Sequence, residues 1–242
     1  MKLIRVKNYD EMSRKAAEII AEQVKENPES CLGLATGETP VGTYRELVHY
    51  RDEGKISFER VHTVNLDEYC GLSADNRQSY RYYMKTNFFD AIGIDPARTF
   101  LPDGMNTDVE AECSRYDRVI EDLGGIDLQL LGIGRNGHIG FNEPAPFFSK
   151  GTHCVTLTES TIEANKRYFA SAEEVPRKAY TMGIGTIMAA RKILLLASGK
   201  EKADAVRASL QGKVTPEMPA SILQFHQNAI LLADQEACRE LD

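Results

Sequence analysis

At 242 residues, 42% of them hydrophobic, the chain can bury one sizeable core, while its net charge of −7, without a basic stripe, argues against nucleic-acid binding. Its five cysteines are scattered and never in CxxC spacing, which argues against a disulfide framework or a zinc site and favours the reducing cytoplasm. There is no run of eighteen apolar residues and the amino terminus turns polar early, so we expect neither a membrane span nor a signal peptide.

Short apolar segments alternate with amphipathic, charged segments along the chain. Helical periodicity predicts helices over residues 9–25, 40–51, 79–89, 109–123, 162–169, 184–190 and 200–211. The apolar runs predict strands over residues 31–35, 61–66, 128–133, 154–157, 192–197 and 229–232. Nearly continuous hydrophobic strands between helices are typical of a parallel sheet covered on both faces. We therefore predict one domain over residues 1–242, an α/β three-layer αβα sandwich with a mainly parallel central sheet, Rossmann-like in architecture.

A glycine turn follows the first predicted strand, in the segment GLATGETP. Parallel α/β sheets bind ligands beyond the carboxyl ends of their strands, so this turn is a candidate binding loop. Thr39 can cap the next helix and Pro40 suits its first position. The hydroxyls of Thr36 and Thr39, with free backbone N–H groups, could form a phosphate cradle. The same residues also fit an ordinary strand–turn–helix corner, and the missing GK[ST] ending excludes a P-loop.

Two adjacent acids, Asp67 and Glu68, end the next predicted strand, in NLDEYCGL. Because successive strand residues face opposite sides, only one of them can readily point into a given cleft. A carboxylate in a partly desolvated cleft can have a raised pKa and act as a base. A strand-end acid that caps the following segment is the simpler alternative.

A glycine-rich segment, GIGRNGHIGFNEP, follows the third predicted strand. It contains GxGxxG, but a dinucleotide fingerprint needs a helix that starts within the glycines, and Gly140 and Pro144 break this segment. What remains is a long loop with His138 and Glu143, a pair that can transfer protons when the acid orients the imidazole. A structural histidine and a metal site are the alternatives, the latter weak without a third ligand.

Two cations occur further along, where they could face the same edge of the sheet. Arg167 lies in ANKRYF, and Lys202 opens a helix after the strand at 192–197, in SGKEKA. Each alone fits a solvated surface charge. Together they could bind an anion held by the turn at 36–39.

Five segments together resemble the glucosamine-6-phosphate deaminase family: GLATGETP, NLDEYCGL, GIGRNGHIGFNEP, ANKRYF and SGKEKA. They occur in the order and spacing of that family, and the similarity extends over essentially the whole chain. The resemblance implies an enzyme without cofactor or metal that converts glucosamine 6-phosphate and water to fructose 6-phosphate and ammonia. Its partner would be a small sugar phosphate, with no nucleic acid and no membrane, and a mobile lid would span residues around 157–180.

The resemblance also implies a role for each matching residue. Asp67 would remove the C2 proton of the open-chain amino sugar. His138 would open the pyranose ring, supported by Glu143 and Asn136. The substrate's phosphate would be bound by Thr36, Gly37, Glu38, Thr39, Arg167 and Lys202.

Two residues depart from the family's pattern. Asn136 stands where some members have aspartate, and an amide cannot stabilise a charged imidazole as a carboxylate would, so we assign that role to Glu143. Glu38 stands where glycine or serine is usual, and its carboxylate would repel a phosphate dianion at close range. We therefore expect the Glu38 side chain to point outward.

The stretch after FNEP bears on regulation. Hexameric members of the family are activated by N-acetylglucosamine 6-phosphate, which hydroxyl and basic residues of this stretch bind between subunits. Here Pro146 and Phe147 replace the hydroxyl pair, and His153 and Val155 replace the two cations, so a phosphate would lose most of its charge-assisted hydrogen bonds. We expect an unregulated enzyme that is a monomer or a small homo-oligomer.

Two other functions fit parts of the pattern. A 6-phosphogluconolactonase has a similar fold and a related substrate, but DEY followed by HIGFNEP favours the deaminase. A sugar-phosphate-sensing module of a transcriptional regulator needs no catalytic acids and accompanies a DNA-binding domain, and no helix-turn-helix segment stands out here. Release of ammonia from glucosamine 6-phosphate would separate the three.

Overall fold

A computed structural model describes residues 1–166, 169, 171 and 174–241, except the side chains of residues 160, 164 and 165. The strands are β1 (Lys2–Val6), β2 (Cys31–Leu34), β3 (His62–Asn65), β4 (Asp67–Tyr69), β5 (Thr99–Phe100), β6 (Leu128–Gly132), β7 (His153–Thr156), β8 (Lys178–Thr181), β9 (Lys192–Ala197) and β10 (Ala229–Asp234). The α-helices are α1 (Tyr9–Glu26), α2 (Val41–Asp52), α3 (Tyr80–Met84), α4 (Asp90–Ile92), α5 (Val109–Asp122), α6 (Glu159–Asn165), α7 (Ile184–Met188) and α8 (Ala203–Gln211). Shorter 3-10 turns occur at Pro96–Arg98, Lys200–Lys202 and Pro219–Phe225.

Seven strands form a parallel sheet in the spatial order β1–β10–β9–β6–β2–β3–β5. From β2 the chain continues to β3 on one side, and from β6 it continues to β9 on the other. The order therefore reverses between β2 and β6. Their carboxyl ends flank a crevice of the kind in which α/β sheets bind ligands. The predicted mainly parallel sheet is confirmed.

Both faces of this sheet are covered by helices, because its strands are hydrophobic on both sides. In β9, Ile193 and Leu195 pack with residues of α5, α7 and α8, while Leu194 and Leu196 pack with residues of α1 and α2 on the other face. All four side chains are buried. Full burial of such a side chain contributes roughly 1.5–3 kcal/mol. The predicted three-layer sandwich is confirmed.

A second, antiparallel sheet of three strands adjoins the first in the order β4–β8–β7. Leu66 joins the two sheets: its N–H donates to the Leu34 carbonyl at 3.1 Å, and its carbonyl accepts from the Met182 N–H at 2.7 Å. The strand predicted at 154–157 exists as β7, but it belongs to this second sheet. The prediction did not include β1, β4, β5 and β8, since short or polar strands give little periodic signal.

The predicted helices differ from the observed ones mainly at their ends. The helix predicted over 79–89 begins at α3, where Ser79 accepts from the Tyr82 N–H at 3.1 Å, and continues through a π-helical turn, Lys85–Phe89. The helix predicted over 162–169 is α6, which starts earlier because Thr158 caps it. Residues 167 and 168 lie outside the described part. Of the helices that are described, none is both long and apolar enough to cross a membrane.

Candidate active site at the sheet switch point

The turn after β2 borders the crevice between β2 and β6. Gly37 has a φ of +90°, a left-handed conformation that favours glycine. Tyrosine hydroxyls hold the turn from two helices: Tyr9 of α1 donates to the Glu38 carbonyl at 3.1 Å, and Tyr83 of α3 donates to the Gly37 carbonyl at 2.5 Å. The candidate phosphate loop is therefore fixed by groups outside it.

The start of α2 differs from the prediction by one position. Pro40 occupies the N-cap, without a side-chain hydrogen bond, and the helix begins at Val41. The Gly42 N–H donates to the Tyr9 hydroxyl at 2.8 Å, so a side chain of α1 takes the place of a capping threonine. The prediction that Thr39 caps this helix is wrong. The Glu38 side chain is exposed at the surface of the turn.

Glu68 stabilises a helix start. Its Oε1 accepts from the N–H groups of Tyr69 and Tyr80, and its Oε2 accepts from the N–H of Arg81, each at 2.9 Å. Burial raises the pKa of Glu68, and these three backbone donors oppose the rise. Two of the donors belong to the first turn of α3, where negative charge is favourable. Of the two adjacent acids, Glu68 has the capping role.

We expect Glu68→Gln to destabilise the fold. The amide NH2 would replace one carboxylate oxygen and face a backbone N–H, which leaves two donors opposed in a buried place. The cost should be about 2–3 kcal/mol. Urea unfolding measures it, with Glu59→Gln as the control because that side chain is exposed. Equal stabilities of the two variants would contradict this role.

Asp67 faces the opposite way from Glu68, as strand alternation predicts. It is 6% exposed and pairs across β4 and β8 with Thr181. A Cβ placed on Gly140 would lie 3.5 Å from Asp67 Oδ2 and 3.1 Å from Thr181 Oγ1, so the glycine loop runs directly against this carboxyl. Burial, reinforced by the charge of Glu68, raises the pKa of Asp67 to about 8. A carboxyl with such a pKa can exchange a proton near neutral pH.

The glycine-rich segment after β6 is a loop, since no helix starts in the described residues between β6 and β7. The dinucleotide interpretation is thereby excluded, as expected. Gly137 and Gly140 have φ values of +81° and +57°. At Gly134, a Cβ would lie 2.3 Å from Cε1 of His138, so the imidazole packs against the loop's own backbone. The Gly134 N–H donates to the His138 carbonyl at 2.9 Å and closes this turn.

His138 and Glu143 lie together within this loop. Nδ1 of His138 is 3.4 Å from Glu143 Oε1, a long contact that forms an ion pair when the ring is protonated. Asn136 Nδ2 donates to Glu143 Oε2 at 2.5 Å, while Asn136 Oδ1 accepts from the His138 backbone N–H at 3.3 Å. Asn136 therefore orients the carboxylate and the loop backbone. It is bonded to neither ring nitrogen among the described contacts.

The charge of Glu143 is strongly stabilised. Burial alone would raise its pKa, but the contact with His138 and the hydrogen bonds from Thr161 and Asn136 outweigh burial and lower the pKa to about 2. The carboxylate is thus ionised at any working pH, and it can stabilise a protonated His138. The role expected for Glu143, where Asn136 replaces an aspartate, stays a prediction.

Lys202 reaches the same edge of the sheet from the start of α8. Its Nζ donates to the Ile133 carbonyl, just beyond β6, at 2.8 Å. Burial lowers the pKa of Lys202, and the charge of Glu201 opposes this. Asp234 holds the preceding turn: it accepts from the Ser198 hydroxyl at 2.5 Å and from the Gly199 N–H at 3.2 Å. Arg167 lies outside the described residues.

Sequence analysis did not identify some of the residues around the site. Tyr80 lies between the turn and the carboxyl of β4: burial raises its pKa well above the usual value, and its hydroxyl contacts Thr36 and Tyr69. Thr161 of α6 donates to Glu143 Oε1 at 2.6 Å. Thr181 accepts from the Phe141 N–H at 3.1 Å. A hydroxyl that acts across the fold leaves no spacing pattern in the sequence.

The assembled crevice has three chemical parts. A turn and Lys202 can hold an anion, the His138–Glu143 pair can move a proton, and the buried carboxyl of Asp67 can act as a base beside them. Over the described part of the chain, no three His, Cys, Asp or Glu side chains are arranged to hold a metal ion. The side chains of these three parts suit proton transfers on a small anionic substrate.

Comparison with known proteins shows the same full-length likeness. The family model described as glucosamine-6-phosphate isomerases/6-phosphogluconolactonase matches residues 7–232. The chain is 56% identical over 241 residues to a glucosamine-6-phosphate deaminase of Clostridium perfringens, with 100% of both chains covered. It is 57% identical over 237 residues to one of Geobacillus, covering 98% of this chain and 94% of the relative. The likeness found from sequence motifs is confirmed.

Solved structures give the same fold. The structure of a monomeric glucosamine-6-phosphate deaminase matches with a TM-score of 0.96 at 51% identity, covering 99% of this chain and 100% of the other. A 6-phosphogluconolactonase of Thermotoga maritima matches with a TM-score of 0.77 at 18% identity, covering 97% and 99%. The second likeness concerns the fold alone.

Proposed function

The chain belongs to the glucosamine-6-phosphate isomerase/6-phosphogluconolactonase family, and from this premise we propose that it is a glucosamine-6-phosphate deaminase. It converts glucosamine 6-phosphate and water to fructose 6-phosphate and ammonia. The observation that carries the proposal is the buried Asp67 carboxyl beside the loop of His138 and Glu143. This isomerisation needs a base at C2 and a second proton-transfer group at the ring oxygen. Relatives of that name at more than half identity support the assignment.

The phosphate is the anchor of the substrate. Thr36, Gly37 and Thr39 of the turn bind its oxygens through hydroxyl and N–H groups, and Lys202 adds a charge-assisted hydrogen bond. Arg167 contributes a second cation. Binding of this remote group holds C1 and C2 next to the proton-transfer groups. The reacting atoms are then already in position when each proton is transferred, which lowers the entropic part of the barrier.

Ring opening is the task of the histidine pair. His138 gives a proton to the ring oxygen of the pyranose, and the ionised Glu143 stabilises the imidazole in its charged form. Asn136 keeps the carboxylate in place through the bond to Oε2. As the ring bond breaks, the C1 hydroxyl passes its proton to His138, which restores the charged imidazole and leaves an open-chain aldehyde.

Asp67 then acts on the open chain. Its ionised form takes the proton from C2 and returns it to C1, while the amino group loses one proton and the C1 oxygen gains one, so C1 becomes an alcohol and C2 an imine. Water adds to C2, the C–N bond breaks, and ammonia leaves with the ketone remaining. Because the reacting carboxyl is desolvated, its basicity is much higher than that of an exposed aspartate.

A coupled assay of ammonia release tests the function. The expected result is release from glucosamine 6-phosphate, with negligible hydrolysis of 6-phosphogluconolactone by the same preparation. Lactone hydrolysis without ammonia release would support the lactonase alternative. Tight sugar-phosphate binding without turnover of either substrate would support a sensing module.

The proposal extends to the setting of the enzyme. It operates in the cytoplasm as a monomer or small homo-oligomer and has no role in nucleic-acid binding. Residues around 157–180 form its lid.

Glu38→Ser should change the apparent KM only modestly. The side chain is exposed and its carboxylate is open to solvent, so we expect it to turn away from the phosphate. Initial rates against substrate concentration provide the measurement. A fall in KM of more than about tenfold, roughly 1.4 kcal/mol, would mean that Glu38 repels the phosphate and that the outward placement is wrong.

The kinetics should be hyperbolic and insensitive to N-acetylglucosamine 6-phosphate. Pro146 and Phe147 lack hydroxyls, and Phe147 is 67% exposed, so the stretch after the loop offers a phosphate few charge-assisted hydrogen bonds. An effector without differential affinity for two states shifts nothing. Rate curves with and without the effector should superimpose. A sigmoidal curve that the effector makes hyperbolic would refute this expectation.

A further inference from the structure

The hydrogen bonds around Glu143 include a residue that none of the five sequence motifs contains. We propose that Thr161 is a positioning residue, through which helix α6 holds the Glu143 carboxylate in the orientation that His138 requires. The proposal rests on the proposed function, because it takes ring opening to be the task of the histidine pair. It adds a specific link between α6 and that step.

The contact is short, buried and aimed at the reacting pair. The Thr161 hydroxyl lies 2.6 Å from Glu143 Oε1, the same oxygen that lies 3.4 Å from His138 Nδ1. Thr161 is 8% exposed, so water competes little for this bond. Asn136 holds the other oxygen at 2.5 Å. Each carboxylate oxygen thus has one donor of fixed position, and together the two donors determine the plane of the carboxylate.

The direction of the Thr161 bond follows from its neighbours. An ionised carboxylate only accepts, so the single proton of the Thr161 hydroxyl must point to Glu143. The Thr158 hydroxyl lies 3.0 Å away and must therefore donate to Thr161. Thr158 Oγ1 in turn accepts from the Thr161 N–H at 3.3 Å, which is the N-cap bond of α6. The cap of the helix and the orientation of Glu143 are thus parts of one chain of hydrogen bonds, in which each bond polarises the next.

Loss of the hydroxyl should affect chemistry more than folding. Without Thr161, the long contact with the imidazole is what Oε1 retains among the described residues, and the carboxylate can rotate about the bond to Asn136. His138 then loses part of the stabilisation of its charged form. The bonds that define the rest of the loop, such as Gly134 N–H to the His138 carbonyl, do not involve Thr161.

Three variants test the proposal. Thr161→Val removes the hydroxyl at nearly constant shape, Thr161→Ser restores it, and Thr156→Val makes the same change at an exposed position of β7. For Thr161→Val we expect kcat on glucosamine 6-phosphate to fall by about tenfold or more, with KM within about threefold of wild type. Thr161→Ser should recover most of the rate, and Thr156→Val should match wild type.

A second substrate separates positioning from general damage. An analogue without the C4 and C5 hydroxyls can form neither a furanose nor a pyranose, so its turnover does not need ring opening. Thr161→Val should process this analogue at close to the wild-type rate. Equal losses on both substrates, a wild-type rate for Thr161→Val, or a Ser variant as impaired as the Val variant would each overturn the proposal. If valine packs poorly, Thr161→Ala gives the same comparison.

A spectroscopic measurement keeps this proposal distinct from the proposed function. The ring ¹⁵N shifts of His138 report its hydrogen bonding without any turnover. They should change in Thr161→Val, return in Thr161→Ser and stay unchanged in Thr156→Val. If wild-type protein releases no ammonia, the proposed function fails and these shifts still test the Thr161–Glu143–His138 link. If ammonia is released but the shifts do not respond to Thr161→Val, only the link fails.

Discussion

Asp67→Asn is expected to abolish turnover of glucosamine 6-phosphate while substrate binding stays nearly intact. Asparagine keeps the shape of the side chain but cannot accept the C2 proton. The rate should fall by about a thousandfold or more. Exchange of the C2 hydrogen with deuterium from solvent is the direct measurement, since it reports proton removal without the later loss of ammonia.

The matched control is Asp75→Asn, which makes the same change at an exposed aspartate. This variant should exchange the C2 hydrogen as the wild type does. Binding of a non-reacting sugar phosphate, followed by calorimetry, should be similar in all three proteins. Exchange at the wild-type rate in Asp67→Asn would remove this residue from the role of base.

The same substitution should stabilise the folded protein. The pKa of Asp67 is about 8 in the fold against 3.8 for an ordinary aspartate, so between those values the folded state holds a proton that the unfolded state has released. Stability of the wild type therefore falls as pH rises from about 4 to about 8. Asparagine has no such dependence. The free energy of unfolding of the variant should equal that of the wild type near pH 4. It should exceed the wild-type value by a few kcal/mol above neutrality, because one pKa unit is about 1.4 kcal/mol.

His138→Gln is expected to impair the cyclic substrate far more than an open-chain one. Glutamine keeps a polar side chain of similar reach but cannot pass a proton to the ring oxygen. A loss of about a hundredfold or more is expected on glucosamine 6-phosphate. On the analogue that lacks the C4 and C5 hydroxyls and stays in open-chain form, the loss should be small, since C2 chemistry depends on Asp67.

His49→Gln is the control for this variant, because His49 lies on the outer face of α2 with its side chain 61% exposed. It should be indistinguishable from wild type on both substrates. Equal losses for His138→Gln on the cyclic and open-chain substrates would contradict the assignment to ring opening.

The rate of the double variant His138→Gln/Glu143→Gln tests how the two residues are coupled. If Glu143 acts only through His138, the second change should add little to the first.

Much of the site could be predicted from sequence because its parts follow strands. Alternation along a strand predicted that Asp67 and Glu68 face opposite ways, and the helix-breaking Gly140 and Pro144 predicted a loop where GxGxxG suggests a dinucleotide turn. Both results depend on local rules, namely side-chain alternation and the conformational limits of glycine and proline. Such rules need no knowledge of distant neighbours.

The unpredicted parts depend on contacts between distant segments. Tyr9 takes over the start of α2 from thirty-three residues away, and Thr161 reaches Glu143 across eighteen residues. Short β4 is a strand because it pairs with β8, since DEY has no apolar periodicity of its own, and β8 pairs with β7 as well. Tertiary packing decides which hydroxyl donates to which acceptor. The pattern of a single sequence does not contain that information.

The division of the site between two sheets affects how such an enzyme can diverge. The Asp67 carboxyl, which is the proposed base, belongs to the small sheet, which Leu66 joins to the large one. The turn at 36–39 and Lys202, which form the proposed phosphate site, extend from the large sheet. Substitutions on the small sheet can therefore change the reaction while the proposed phosphate site on the large sheet stays the same. An ancestral enzyme with this division can change the reaction that it catalyses and still bind sugar phosphates at every step.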